Sequence, residues 1–414
     1  MRKYQQLLLI IISLVSIFSL LTYRYEYMQL LNVIEVLNFF GYPANDLTNC
    51  TILNGTFLND IENNNKLAKP MVSWTKIDEH FAYSAFWLQE NESVYITVIG
   101  PKTAFSGYDC RVWYKLGDHY ISSPGTFSYN LSSDSNKKIN FYHYSIHCKP
   151  INVPIDAIPY GILLGRENSL KLFVPLRLQE ESYHKDNLVI CVSPDYSGIP
   201  DTNLVEFIAY HVMLGVKQFL VYDIGIHHQV LEFLNSIAGH KSMHNYKIST
   251  LSWQFPTIDK NLEKSVLLND CIMRTQGETK HQILLSWEQY LVFNKDSNFN
   301  FLDQENTNYA FEVMKCCTKR LTKKSWPLAM RKTLCEKTNE TNNIDSVNRL
   351  KISNFPTILG SIHNLEEFCN KTMGKEDVSM TKYLNSFMNS KLLNLWKTHV
   401  QFSMINLRKS KQLP

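Results

Sequence analysis

Residues Leu284–Phe293 read LLSWEQYLVF, an apolar run broken at its centre by Ser286, Trp287, Glu288 and Gln289. An unpartnered polar group inside such a run costs on the order of 1–3 kcal/mol. The four residues are therefore either surface polarity at a strand end or part of a site for a cation and a charged substrate. Asn269, Asp270 and Arg274 form a second group. On a helix, Asp270 and Arg274 share a face at i,i+4, which allows an internal salt bridge or a joint grip on hydroxyl groups. Asp223 ends the apolar run VKQFLVYD, where a carboxylate can meet a ligand or sit in a solvated loop.

Other chemistry-bearing residues read more plainly. His227 and His228 are adjacent, so their side chains do not converge on one ion. Adjacent Cys316 and Cys317 bond to different partners if they are oxidised. The basic stretch KCCTKRLTKKSWPLAMRK is a solvated face. No P-loop, GxGxxG or C-x2-C zinc pattern occurs.

Two different patterns position these residues. From about Val72 to Leu178 strand follows strand, with HFAYSAFWLQ and SVYITVIG flanking a turn at ENE. After the charged linker RLQEESYHKDN, strand and helix alternate. LVICVS suits a central parallel strand. NLVEFIAYHVML has helical spacing, with capping-box residues Asn203 and Glu206 and with Gly215 at its end. Such alternation predicts an open, mostly parallel sheet. In such sheets ligands bind beyond the carboxyl ends of the strands.

The N-terminus points to a compartment. MRKYQQ precedes an uncharged apolar run from Leu7 to Tyr23, with positive charge on its N-terminal side. The positive-inside rule predicts a cytoplasmic tail 1–6, a signal anchor 7–23 and a luminal body; a cleaved signal peptide is the other reading. Six Asn-x-Ser/Thr acceptors, at Asn49, Asn54, Asn91, Asn130, Asn339 and Asn370, agree with a lumen. So do nine cysteines, among which Cys110 and Cys148 are the predicted local pair. The 42 basic and 38 acidic residues are too evenly balanced to indicate nucleic acid as a partner.

FAYSAFWLQENESVYITVIG, VICVSPDYS and NLVEFIAYHVMLGVKQFLVYD resemble glycosyltransferase family 92. LLNDCIMR resembles its Asn-Asp-Cys helix, and LLSWEQYLVF occupies the place of its Asp-x-Asp-Glu-Phe strand end. RLKISNFPTILGSIH resembles its later segment, so the likeness runs from Trp74 to His363. The resemblance implies an α/β fold: a GT-A-like, mostly parallel sheet flanked by helices, preceded by a smaller β-rich domain and an N-terminal transmembrane helix. The expected parts are a stem 24–69, a β-rich domain 70–180, a glycosyltransferase domain 187–400 and a basic tail 401–414. The implied activity is inverting transfer of a hexose, galactose above all, from a UDP-sugar to a glycan or glycoprotein. The implied setting is a type II Golgi membrane protein.

The same resemblance assigns residues. Glu288 and Ser286, where the family has two aspartates, and His363 hold Mn²⁺ or another divalent cation, which stabilises the departing diphosphate. Asp223, Asn269, Asp270 and Arg274 bind nucleoside or sugar hydroxyls. An inverting enzyme needs a base at the acceptor hydroxyl. Among the carboxylates after the strand, Asp303, Glu305 and Glu312, the expectation falls on Glu312. The serine and glutamine in LLSWEQ set against this a second reading, a non-catalytic relative that binds glycan, nucleotide or a partner transferase.

Overall fold

A computed structural model describes residues 74–410 except 103–104, 117–118, 132–140, 155–156, 167–170, 179–185, 196–197, 240–245, 294–308, 319–326, 328–332, 344, 347–356, 367–374 and 378. The tail 1–6, the anchor 7–23 and the stem 24–69 lie outside the described residues. So do Asn49, Asn54, Asn370, Asp303, Glu305 and most of the basic stretch after Cys317. Among the described residues, no helix is long and apolar enough to cross a membrane.

The expected α/β class, a GT-A-like, mostly parallel sheet flanked by helices after a smaller β-rich domain, is corrected. The chain is mostly β, with a closed barrel of seven strands and five α-helices among the described residues. The barrel is built from β2 (His80–Leu88), β3 (Ser93–Gly100), β4 (Tyr108–Leu116), β5 (His119–Leu131), β6 (Tyr142–Pro150), β7 (Ile158–Arg166) and β8 (Leu172–Arg177), with β1 (Thr75–Ile77) on β2. The order is β1-β2-β3-β6-β5-β4-β7-β8, and β8 pairs back onto β2 through Ala85–Leu176 and Phe86–Arg177. Alternation explains the closed core. In β4, Cys110, Val112 and Tyr114 are buried while Arg111 and Lys115 are not, the period of two that sends alternate side chains to opposite faces. The predicted Cys110–Cys148 disulfide forms inside this barrel.

The second sheet has the order β11-β10-β9-β12-β16. Strands β9 (Asp186–Val192), β10 (Gln218–Asp223), β11 (Lys247–Ser252) and β12 (Thr279–Leu285) run parallel, and β16 (Asp345–Ser346) is antiparallel. Three helices join the parallel strands: α1 (Asp201–Met213), α2 (His228–Gly239) and α3 (Lys260–Thr275). Helix α1 starts earlier than the Asn203–Glu206 pattern predicts. Pro200 stands at its N-cap with φ −62°, a torsion that suits helix entry, and no side chain caps it. Gly215, at φ 101°, turns the chain after α1 as expected.

Beyond Leu285 the alternation stops, which is why the class expectation fails. β13 (Gln289–Phe293), β14 (Tyr309–Thr318), β15 (Thr333–Asn343), β17 (Thr357–Glu366) and β18 (Lys375–Asp377) form a third sheet ordered β13-β17-β14-β15-β18, in which only β14 and β17 are parallel. Helices α4 (Leu384–Met388) and α5 (Lys391–Ser410) follow, so the segment read as a tail is helical to Ser410. A shared apolar core of Tyr83, Ile99, Val189, Tyr222, Trp253, Leu262 and Val266 ties the barrel to the parallel sheet and α3.

Candidate active site

A cavity of about 350 Å³ opens where β9 and β12 end. Ser193 and Asp195 line it from β9, and Leu284, Leu285, Ser286 and Gln289 from the end of β12 and the turn after it. Lys260, Glu263, Lys264 and Leu267 come from the first turns of α3, and Val313 and Thr341 from the third sheet. The place is the one that physics favours for a ligand, past the carboxyl ends of adjacent parallel strands. Val192 and Leu285 are in register, and Ser193 N donates to Leu285 O at 2.8 Å, so Ser193 and Ser286 leave the sheet side by side.

Helix α3 is fixed at this edge by its own sequence. Asp259 caps it, accepting from Asn261 N and Leu262 N at 3.0 and 3.2 Å. Glu263 accepts from the buried indole of Trp253 at 3.0 Å and pairs with Lys260 at 3.0 Å. The lining thus carries two lysines and two carboxylates, and one of those carboxylates is already committed.

The turn Ser286–Gln289 settles what LLSWEQ does. Gln289 N donates to Ser286 O at 3.0 Å, and Ser286 N donates back to the Gln289 side-chain oxygen at 2.9 Å. Trp287 is 1% exposed and packs on Phe207 in the core. Glu288 is half-buried, and its backbone oxygen accepts from Leu365 N. Ser286 lines the cavity; Glu288 is not among the lining residues.

His363 lies elsewhere. Register pairs it with Tyr290, whereas the cavity residue Gln289 pairs with Asn364. The β14–β17 register likewise pairs His363 with Met314 and the cavity residue Val313 with Ile362. His363 therefore faces away from the cavity, beside the Cys316–Cys335 disulfide, with Asp377 at 3.9 Å from its Nε2. Burial lowers its pKa, and Asp377 pulls it partly back. Ser286, at the cavity, and His363, on the opposite face, are therefore not brought together. Side-chain oxygens in the cavity lining include those of Ser193, Asp195 and Ser286 from the strand ends, a type of donor suited to a hard cation.

The other expected residues are engaged within the protein. Asp270 is fully buried, accepting from Ser84 Oγ at 2.5 Å, Tyr222 OH at 2.7 Å and Arg274 Nε at 2.5 Å. The Arg274 guanidinium lies 5.4 and 5.5 Å from the ring centroids of Tyr83 and Phe86. Burial works against its charge, yet Asp270 holds its pKa above the ordinary value. Asn269 donates to Tyr95 OH. Asp223 ties down the β10–α2 loop by accepting from Gly225 N and Ile226 N at 2.8 and 2.6 Å, with Gly225 at φ 132°. Burial raises the Asp223 pKa, and these two backbone bonds lower it. Glu312 pairs with Lys337 at 2.6 Å, and its cross-strand neighbour Thr341 lines the cavity.

The sequence reading did not single out Ser193, Asp195, Lys260, Glu263 or Lys264. The signal was present in VICVSPDYS, where polar residues follow the end of a central strand. A comparison with curated proteins gives no significant match. Residues 186–314 match the family model of glycosyltransferase family 92, and they include the β9 and β12 ends, α3 and the Ser286–Gln289 turn. Over that stretch, about a third of the chain, the sequence is similar to glycosyltransferase family 92.

Proposed function

We propose that this cavity binds a UDP-sugar and that the chain transfers its hexose, galactose in first place, to a glycan with inversion. The observation that carries the reading is the position of the cavity: two parallel strand ends and a helix start converge on it, all within the family-matched residues. Lys260, Lys264 and the N-terminal end of α3 supply positive potential to a diphosphate. A divalent cation, when bound, stabilises the charge of the leaving group. Glu312 is the proposed base, because its neighbour Thr341 reaches the cavity wall. In this reading the body works in the Golgi lumen, held by the apolar segment 7–23 of a type II protein.

A second reading, a non-catalytic relative that binds nucleotide or glycan, draws support from the turn that uses Ser286 N and the Gln289 amide to close itself. Incubation of the purified chain with a panel of UDP-hexoses and N-glycan acceptors separates the two. The proposal expects one hexose added to an acceptor from one donor. Tight UDP binding without transfer for any pair would favour the second reading.

A further inference from the structure

We propose that Asp195, which lines the cavity together with Ser193 and Ser286, is the carboxylate that holds the divalent cation against the donor diphosphate, in place of Glu288. The inference rests on reading the cavity as the donor site. Its first support is a comparison of the carboxylates present. Among the described residues, only Asp195 and Glu263 carry one in the cavity lining. Glu263 is nearly buried, and its two oxygens are taken by the Trp253 indole and the Lys260 ammonium. Asp195 is exposed at the cavity and has no hydrogen bond or ion pair among the described residues.

Its second support is the sheet register. Val192 stands beside Leu285, so the next residues, Ser193 and Ser286, emerge from neighbouring strands on the same edge, with Asp195 two residues further along. Glu288 follows the buried Trp287 in the turn and does not line the cavity, and His363 faces the opposite side.

Coordination chemistry accepts this arrangement. Mg²⁺ and Mn²⁺ prefer oxygen ligands, and such ions are held by about one or two protein carboxylates together with substrate phosphates. One aspartate at the strand edge, two hydroxyls and a diphosphate meet that need. The other titratable cluster, Cys316, Cys335 and His363, offers sulfur and imidazole, and its two sulfurs are bonded to each other.

Calorimetric titration of the full-length chain with UDP, with and without Mn²⁺, tests the assignment, together with the electron paramagnetic resonance signal of bound Mn²⁺. Mn²⁺ should tighten UDP binding by about tenfold or more in the native chain. Asp195→Asn should bind UDP with that gain nearly abolished and the bound-Mn²⁺ signal lost, whereas Glu288→Gln should keep both. Asp195→Glu should restore part of the gain, which separates ligation from a folding defect. Loss of the gain in Glu288→Gln with its retention in Asp195→Asn would overturn the inference. UDP binding that ignores Mn²⁺ would also overturn it while leaving the donor-site reading intact. Absence of UDP binding by the native chain in either condition would remove the donor-site reading and the inference with it.

Discussion

His211 shows how single residues constrain this fold. Its Nδ1–H donates to Phe207 O at 2.8 Å, and Nε2 accepts from Leu291 N at 3.4 Å, so the ring is neutral with both nitrogens used. Burial pushes its pKa down to about 3 from an ordinary 6.5. The unfolded chain therefore takes up a proton that the folded chain refuses, and stability falls as pH drops below 6.5 toward 3. Above that window the contribution is complete. Burial also lowers the pKa of His80, His147 and His363, which adds to the same slope. Melting temperatures measured from pH 7.5 to pH 5 should decline, and His211→Gln should flatten part of the decline. An equal slope in the variant would contradict the assignment. Helical spacing with Leu204, Phe207 and Ile208 puts this histidine on the apolar face in the sequence itself, but does not show which groups engage its two nitrogens.

At the scale of elements, much was legible locally and less at longer range. HFAYSAFWLQ, SVYITVIG, LVICVS and the helix around LLNDCIMR are where the sequence patterns put them, because burial enforces their periods. The turn at LLSWEQ was not legible in full: Glu288 drew attention as an acidic residue, while Gln289 closes the turn and lines the cavity. Barrel closure was also hidden, since it depends on β8 meeting β2 some ninety residues away in sequence. Gly125 illustrates a demand of the same kind. Strand β5 lies between β4 and β6, so the Cys110–Cys148 bond must cross it, and a methyl group on Gly125 would collide with the sulfur of Cys148. Gly125→Ala should therefore destabilise the chain by about 1–3 kcal/mol, read by denaturant unfolding. A variant within about 0.3 kcal/mol of native would show that the crossing has room to spare.

At the scale of the molecule, the buried cluster of Ser84, Tyr222, Asp270 and Arg274 joins the barrel to the parallel sheet. The sequence offered two uses for Asp270 and Arg274, a grip on substrate or a salt bridge, and the structure shows them as a salt bridge at 3% and 0% side-chain exposure for Arg274 and Asp270. The ambiguity arose because i,i+4 spacing says nothing about what packs on the helix, and here it is a barrel strand from far earlier in the chain. Asp270→Asn would leave the Arg274 charge buried without its partner, at a cost of about 3–5 kcal/mol. Chemical unfolding should report that loss across both parts at once; a loss under about 1 kcal/mol would mean that solvent reaches the guanidinium.

The central claim is that the sugar donor sits at the ends of β9 and β12, against the start of α3. A crystal structure of the chain soaked with UDP tests it most directly. The diphosphate should lie beside Asp195, Ser286 and Lys264, with Asp270 and Arg274 undisturbed. Nucleotide bound at another surface, or gripped by Asp270 and Arg274 after the barrel has parted from α3, would contradict it.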